Sequence, residues 1–190
     1  MSLKTYTKGP LNDLYLRDHG KDIFSPFQET QCEKGVLSYG ISSVGYDLRL
    51  YPEIREYYPE HSLDVIDPKN FNKTPTVFKD CKEYILDPNS WVLGRSLEYI
   101  SMPKDVFAIA LGKSTYARCG IFVNVTPLEP GWKGYLTIEI ANLGKFPVKL
   151  YCNEGILQLV LFKVDTCEVT YDSRNGKYQN QQDIVEAKIK

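Results

Sequence analysis

Apolar runs of about 18 residues, the length that crosses a membrane, are missing from this 190-residue sequence, which predicts no transmembrane helix. Residues 1–10 are polar and lack the apolar stretch of a signal peptide, so a cytoplasmic protein without a membrane partner is expected. The formal net charge is only −1. Global electrostatics therefore give no reason to expect a nucleic-acid partner, although a small anionic ligand needs only a local group of cations.

The spacings from which metal sites are built are missing as well. The five cysteines are widely separated and odd in number, which favours reduced thiols that serve as small buried hydrophobes. There is no C-x-x-C or H-x-E motif, and the two histidines, His19 and His61, stand in polar surroundings. We therefore expect neither a protein-bound zinc ion nor a Ser-His-Asp triad.

What the chain does have is enough apolar material for a core, with 43% hydrophobic residues, and a length that suits one domain over residues 1–190. Turn signals separate many short apolar or alternating segments, a pattern typical of a mainly β barrel or jelly roll. A short helix is predicted around residues 11–19. The predicted strands are residues 46–50, 91–100, 106–111, 121–125, 135–141, 148–151, 156–164 and 168–171.

Two segments stand outside this pattern. Residues 53–79 are polar and contain three prolines, which predicts a long loop that leaves the sheet. Residues 172–190 are polar and rich in glutamine. They are predicted to be a solvated tail, or a C-terminal flap that becomes ordered on ligand binding.

Glu139 is the most informative single residue. In the segment around it, Leu136, Ile138 and Ile140 share one strand face, and Thr137 and Glu139 share the other. A carboxylate flanked by isoleucines in mid-strand is partly desolvated, which raises its pKa toward the range useful for acid–base catalysis. An ordinary solvent-facing glutamate fits the same periodicity, so this pattern alone leaves both interpretations open.

A second candidate site is the loop that carries Lys113, Ser114, Thr115 and Arg118. Two cations and two hydroxyls within six residues, next to the permissive Gly112, can bind phosphate oxygens. The P-loop pattern is not met, because Phe107 stands where its first glycine would be. A capped turn with surface charges explains this segment equally well.

The motifs together closely resemble the dCTP deaminase family of the dUTPase-like superfamily. The resemblance covers roughly residues 40–182, and its motifs occur in the family's order. They are GYDLR at 45–49, GKSTYARCG at 112–120, VTPLEPGWKG at 125–134, TIE at 137–139, GILQL at 155–159 and KYQNQQ at 177–182.

This resemblance implies a distorted β-barrel or jelly roll in a homotrimer with active sites at subunit interfaces. It implies hydrolytic deamination of dCTP to dUTP and ammonia, which supplies dUTP for thymidylate synthesis. No metal would be bound by the protein, and Mg²⁺ would be carried by the triphosphate. The implied catalytic residues are Glu139 as proton carrier, with Arg118 and Ser114 holding the water. The implied substrate-binding residues are Lys113, Ser114, Thr115, Arg118, Val125, Thr126, Thr137, Ile138, Gln158, Tyr171, Lys177 and Gln181.

Three departures from the family pattern bear on these roles. Lys113 replaces a common arginine, and a lysine cannot bind phosphate bidentately. Asn124 replaces a histidine that many members connect with feedback control, which leaves inhibition by dTTP open. Glu129 replaces an aspartate in the loop after Thr126, so the resemblance says less about sugar contacts there.

Alternative functions belong to three classes. A bifunctional enzyme would carry dCTP on to dUMP, although dUTPases use an aspartate and a tyrosine where this chain has Glu129 and Trp132. A non-enzymatic nucleotide sensor on the same fold would most simply have lost Glu139 or Arg118, and both are present. An unrelated jelly-roll binding module gives no reason for the motif set as a whole.

Overall fold

The computed structural model describes residues 8–30, 32–61 and 63–189, and within them the chain is mainly β, as predicted. The two helices are α1 (Asp13–Ile23) and α2 (Ser114–Ala117). The strands are β1 (Gly9–Pro10), β2 (Phe24–Ser25), β3 (Gly40–Ile41), β4 (Tyr46–Arg49), β5 (Glu53–Glu56), β6 (Thr76–Lys79), β7 (Glu83–Leu86), β8 (Trp91–Ser101), β9 (Val106–Gly112), β10 (Ile121–Asn124), β11 (Lys133–Asn142), β12 (Val148–Tyr151) and β13 (Gly155–Lys163).

The strands pair antiparallel in three sheets. One sheet has the order β1-β13-β4-β3, and β9 also pairs with β13. A second has the order β10-β11-β8-β5-β6, and β2 also pairs with β8. The third consists of β12 and β7. Apolar side chains from β4, β11 and β13 form a shared core, in which Tyr46, Leu48, Ile138, Leu157 and Leu159 are fully buried.

Helix α1 confirms the helix predicted near the N-terminus. Asn12 caps it, because its side-chain oxygen accepts a hydrogen bond of 3.2 Å from the Tyr15 backbone N–H. Tyr15, Leu16 and Ile23 bury one face. Neither α1 nor α2 is long and apolar enough to cross a membrane, and they are the helices of the described residues.

The strand predictions hold for seven of the eight segments. The structure differs from the predictions in three places. The predicted 53–79 loop is wrong at its ends, where β5 and β6 pair with each other. Strand β7 was not predicted, and it pairs with β12 at the surface. Residues 168–171 do not form a strand: Thr170 instead accepts a hydrogen bond from Ser173 Oγ within a turn.

The cysteine prediction is also wrong in part. All five thiols are free, but only Cys152 is buried. Cys32 and Cys119 are exposed, and Cys81 and Cys167 are intermediate.

Strand β11 lies at the centre of its sheet, between β10 and β8. Its side chains alternate as predicted, with Leu136, Ile138 and Ile140 buried in the core and Thr137 and Glu139 partly exposed on the other face. The register against β8 shifts between Tyr135 and Thr137. This irregularity is bridged by Ser96, whose hydroxyl accepts a hydrogen bond from the Leu136 backbone N–H at 2.9 Å.

Candidate active site

The Glu139 carboxylate projects from the polar face of β11. Its direct neighbours across the sheet are Asn124 on β10 and Leu93 on β8. Burial raises the pKa of Glu139 to about 7, and a backbone hydrogen bond opposes this effect only in part. A carboxyl group with such a pKa exchanges its proton near neutral pH. Glu139 therefore has the ionisation behaviour of a catalytic acid–base group.

Glu139 opens into a cavity of about 460 Å³. This volume lies in the range of small-molecule pockets, and so does the mixture of aromatic walls with few polar groups. The polar lining comes from β11, from the loop after β10 and from the C-terminal segment. The lining residues are Phe71, Trp91, Leu93, Val125, Thr126, Pro127, Leu128, Glu129, Trp132, Leu136, Thr137, Glu139, Tyr171, Tyr178, Gln181, Val185 and Ala187.

Five of the predicted substrate-binding residues line this cavity with Glu139: Val125, Thr126, Thr137, Tyr171 and Gln181. Gln181 donates from Nε2 to Thr137 Oγ1 at 2.5 Å and to the Tyr135 carbonyl at 2.9 Å. The Tyr171 hydroxyl accepts a hydrogen bond of 3.1 Å from the Tyr178 backbone N–H. These contacts give the cavity preformed polar positions.

Ser114, Thr115 and Arg118 are not among the described residues that line the cavity. They belong to the one-turn helix α2 and its C-terminal cap, and all three are exposed. Arg118 donates from Nη1 to the Ser114 carbonyl at 2.9 Å. The predicted water-holding pair is therefore a surface element of this single chain, separate from the carboxylate that it is predicted to assist.

The remaining predicted residues also lie apart from the cavity. Lys113 pairs with Asp47 at 2.5 Å, and both side chains are largely buried. Gln158 donates from Nε2 to Ser42 Oγ at 2.7 Å. Lys177 is exposed, with its ammonium group 5.0 Å from the centre of the Tyr178 ring. The Ile138 side chain is fully buried in the core and does not line the cavity.

Several cavity residues escaped sequence reasoning. Trp91 and Leu93 share the face of β8 that pairs with the polar face of β11, so the predicted strands could have located them had their pairing been known. Phe71 comes from the predicted 53–79 excursion and has no periodic signal. Trp132, which is not among the predicted site residues, lines the cavity and donates from Nε1 to the Tyr178 carbonyl at 3.0 Å.

The C-terminal segment packs along the first residues of β11, and this corrects the expectation of a solvated tail. The backbone N–H of Tyr135 donates to the Gln181 carbonyl at 2.8 Å, and that of Asn180 donates to the Lys133 carbonyl at 2.9 Å. Ile184 is only 2% exposed. Tyr178, Val185 and Ala187 complete the cavity wall.

The charged side chains of the described residues give no metal centre: no group of three or more His, Cys, Asp or Glu residues is placed to hold an ion. The Glu129 carboxylate at the cavity edge instead accepts a hydrogen bond from Arg174 Nη2 at 2.5 Å. Of the residues that line the cavity, Glu129 and Glu139 are the two with carboxyl groups, and the other polar groups of the lining are amides and hydroxyls.

Comparison with known proteins matches residues 14–164 to the model of the dCTP deaminase-like family. A dCTP deaminase of Acidobacterium capsulatum is 48% identical over 180 residues, which cover 94% of this chain and 98% of the relative. A dCTP deaminase of Helicobacter acinonychis is 51% identical over 176 residues, which cover 90% of this chain and 92% of the relative. The chain belongs to the dCTP deaminase-like family.

The fold is similar to the crystal structure of 2′-deoxycytidine 5′-triphosphate deaminase from Agrobacterium tumefaciens, with a TM-score of 0.62. The match has 19% sequence identity and covers 83% of this chain and 49% of that chain. At this identity the likeness concerns the fold alone, and it confirms the fold class predicted from the sequence.

Proposed function

We propose that the protein is a dCTP deaminase, a hydrolase that acts on the C–N bond of a cyclic amidine in the cytoplasm and supplies dUTP for thymidylate synthesis. The observation that carries this proposal is the Glu139 carboxylate, whose pKa is raised to about 7 by burial at the edge of a cavity. The names of the relatives, at about half identity over nearly the whole chain, support the same substrate.

The proposed chemistry balances with water as the only co-reactant. Glu139 takes a proton from the water whose oxygen attacks C4 of cytosine, and passes this proton to N3. C4 is then tetrahedral, carrying a hydroxyl and the amino group. Glu139 next moves the hydroxyl proton to the amino group, the C4–N bond breaks, and ammonia leaves as the C4 carbonyl forms. Acid–base catalysis of this kind contributes roughly 100- to 10,000-fold to a rate.

Ser114 and Arg118 would hold the attacking water and stabilise the charge that develops on it. Since both lie on the exposed helix α2, away from the Glu139 cavity of the same chain, we place them at the cavity of a neighbouring copy. The proposed assembly is a homotrimer whose active sites lie between subunits.

Exposed apolar side chains around α2 support such an interface. Leu111 lies near the end of the strand that precedes α2, and Phe122 lies on the strand that follows it. Leu143 is tied to the same region, because its backbone N–H donates to the Gly120 carbonyl at 2.9 Å. Phe146, in the same turn as Leu143, is 80% exposed. Apolar groups clustered at a surface mark association sites.

The nucleoside would occupy the cavity, where Thr126, Thr137 and Gln181 offer hydroxyl and amide groups. The triphosphate, carrying Mg²⁺, would meet the cations of the GKSTYAR segment and Lys177. For this contact Lys113 would exchange its pairing with Asp47 for a phosphate oxygen. We propose that the protein itself holds no metal.

The experiment that tests the proposal follows ammonia release and nucleotide products from dCTP, CTP and dUTP, each with Mg²⁺, and compares wild type with Glu139→Gln. We expect dUTP and ammonia in equal amounts from dCTP with wild type and neither with the variant. Absence of ammonia from dCTP would refute the proposal. A parallel series with dTTP decides whether the chain with Asn124 is subject to feedback inhibition.

A further inference from the structure

The last part of the C-terminal segment is held at the cavity by a group of charged residues from β5. Arg55 donates from Nη2 to Asp183 at 2.8 Å, and from Nη1 to the Ile184 carbonyl at 2.9 Å and to Glu186 at 3.2 Å. Its side chain is 16% exposed. One guanidinium thus contacts three of the four positions 183–186, in a segment more than 120 residues away in the sequence.

Arg55 is itself held in place from its own strand. Glu53 accepts hydrogen bonds of 3.1 Å from both Nε and Nη2 of Arg55. Because Glu53 fixes one edge of the guanidinium, the other edge points at the C-terminal segment. The Arg55 side chain therefore loses little rotamer freedom when it binds that segment. Such an arrangement is stronger than an isolated surface pair, which contributes little.

Three aromatic residues extend the same contact to the cavity wall. The Tyr57 hydroxyl donates to Glu186 at 2.8 Å. The Tyr57 ring stacks on Trp91, with centroids 5.5 Å apart, and meets Phe71 edge-on at 5.2 Å. Trp91 and Phe71 line the cavity. Glu186 therefore connects the C-terminal segment to the wall beside Glu139.

Arg95 adds a second cation. Its Nε lies 3.7 Å from Asp183, and its guanidinium is stacked between the rings of Tyr51 and Tyr135 at 3.4 and 4.2 Å. Asp183 is half exposed, with a side-chain exposure of 53%, so solvent screens its two ion pairs. The Ile184 carbonyl and Glu186 are the firmer contacts of Arg55.

The held segment reaches the polar face of β11. The Val185 backbone N–H donates to Thr137 Oγ1 at 3.1 Å, next to the hydrogen bond from Gln181 to the same oxygen. Val185 and Ala187 line the cavity that contains Glu139. Fixing residues 183–187 therefore fixes one wall of the cavity.

We propose that Arg55 is a positioning residue for deamination. It holds residues 183–187 against the cavity, so that Gln181 and Val185 keep their hydrogen bonds to Thr137, on the same strand face as Glu139. This inference rests on the proposed function for its kinetic part only. The anchoring itself is a property of the protein without nucleotide.

The first test measures backbone amide hydrogen exchange of residues 182–187 without nucleotide. In Arg55→Gln we expect exchange about tenfold faster, since the contacts that hold the segment are gone. Arg17→Gln is the matched control, because Arg17 also pairs with a glutamate, Glu29 at 3.0 Å, but on α1. Unchanged exchange in Arg55→Gln would overturn the proposal.

Because Arg55→Gln leaves Glu53 without its partner, a second variant alters only the C-terminal side. Asp183→Asn combined with Glu186→Gln keeps the shape of both side chains and removes their charge. It should accelerate exchange of the segment in the same direction. When Asp183→Asn and Glu186→Gln are added to Arg55→Gln, the loss of protection against exchange should be clearly smaller than the sum of the two separate losses, as expected for one shared interaction. Full additivity would contradict the proposal.

The kinetic arm compares KM and kcat for dCTP. We expect Arg55→Gln to raise KM by about tenfold with a smaller fall in kcat, Arg55→Lys to recover part of the loss, and Arg17→Gln to match wild type. Faster exchange without any change in KM or kcat would reduce Arg55 to a structural role and overturn its assignment as a positioning residue. Absence of deamination in wild type, with exchange altered as expected, would refute the proposed function and leave the anchoring intact.

Discussion

Glu139 is ionisable near neutral pH because its position on the sheet withholds solvent from it. Leu93 lies directly opposite on β8, and the cavity that Glu139 faces is walled by apolar side chains such as Trp91 and Val185. Desolvation disfavours the charged form of a carboxyl group, and no stronger effect opposes it here. The same environment that destabilises the carboxylate makes it a better base when it does ionise.

The first prediction concerns the amide variant. Glu139→Gln should reduce deamination of dCTP by roughly 100-fold or more, because an amide cannot accept the proton from water. The change is nearly isosteric, so the circular dichroism spectrum and the oligomeric state should be retained. Steady-state ammonia release measures the loss. A variant as active as wild type would show that another group carries the proton.

The pH dependence supplies a second prediction. The proposed mechanism starts with Glu139 ionised, so kcat/KM should rise with pH through an apparent pKa of about 7 in the free enzyme. Activity below pH 6 should fall about tenfold for each pH unit. A profile that is flat between pH 5.5 and 8 would contradict the role of Glu139.

The same titration affects stability in a direction that can be worked out. The folded pKa of about 7 lies above the ordinary value of 4.5, so the folded protein binds more protons between these values. The contribution of Glu139 to stability is therefore fully present below pH 4.5 and is lost as pH rises through 7. Compared with wild type, Glu139→Gln should be more stable at pH 8 by on the order of 3 kcal/mol, and this gain should shrink toward pH 5. Denaturant unfolding at both pH values measures it.

At this scale the sequence carried much of the information about Glu139. The alternation along β11 is local, so the polar face that carries Glu139 could be anticipated. The burial that raises its pKa could not, because the walls around it come from β8 and the C-terminal segment. The placement of Lys113 could not, because the carboxylate that pairs with it, Asp47, is 66 residues away. Lys113 was predicted to bind phosphate and is found in a largely buried ion pair.

Strand β5 shows why elements rich in charge are missed. Its Glu53 and Glu56 are buried, with 9% and 6% exposure, although local hydropathy predicts an exposed loop. Glu53 accepts hydrogen bonds from Arg55, and Glu56 accepts one from the Tyr84 hydroxyl. Burial of a carboxylate is tolerated where partners satisfy it. The partner from β7 is not visible in the sequence around β5.

The opposite error occurred at residues 168–171. These residues are β-prone, but they have no strand beside them in the described chain, and Tyr171 bonds through its backbone N–H to the Pro130 carbonyl. A strand requires a neighbour for its ladder of hydrogen bonds, which propensity alone does not supply. The segment instead brings Tyr171 to the cavity.

A prediction at the scale of elements concerns the C-terminal segment. Truncation before Asp172 removes Tyr178, Gln181 and Val185 from the cavity wall, whereas the sheets keep their pairing. We therefore expect the affinity for dCTP to fall by about tenfold or more, and the unfolding midpoint to change much less. Calorimetric titration of an inactive Glu139→Gln background, with and without the truncation, measures binding. Equal affinities would show that the segment does not contribute to the site.

For the whole molecule, the decisive geometric fact is that α2 and the Glu139 cavity lie apart on one chain. Predicted catalytic residues that a single chain does not bring together can meet in a symmetric oligomer, where one surface of each subunit meets a different surface of the next.

Mixed oligomers test this arrangement. Glu139→Gln and Arg118→Ala should each be inactive alone, because each lacks one half of every site. In trimers reassembled from equal amounts of both, about a quarter of the interfaces pair an intact Glu139 with an intact Arg118, so about a quarter of wild-type activity should return. Light scattering confirms the number of subunits. If no activity returned from properly mixed trimers, Glu139 and Arg118 would have to act within one subunit.

The last prediction is that the reaction of the assembled enzyme ends at dUTP. Hydrolysis of the triphosphate requires a second water, aligned with the α-phosphorus and activated by its own base. Glu129 is the carboxylate nearest in sequence to that role, but it is the longer homologue of the aspartate used by dUTPases, and it accepts a hydrogen bond from Arg174 at 2.5 Å. Trp132 replaces the tyrosine of that loop, and its only polar group already donates to the Tyr178 carbonyl.

The geometry of the loop that carries Glu129 favours deamination alone over deamination followed by hydrolysis of dUTP. Displacing a catalytic group by about 1 Å can cost on the order of 100-fold in rate, and Pro127 and Pro130 restrict the rearrangement of the loop that carries Glu129. In the proposed mechanism Glu139 acts at C4 of the base, at the other end of the nucleotide from the phosphates. Phosphorus NMR of a dCTP reaction should therefore show dUTP accumulating without pyrophosphate, also when dUTP is supplied directly. Stoichiometric dUMP and pyrophosphate that disappear in Glu129→Gln would instead make the protein bifunctional, with Glu129 as the second base.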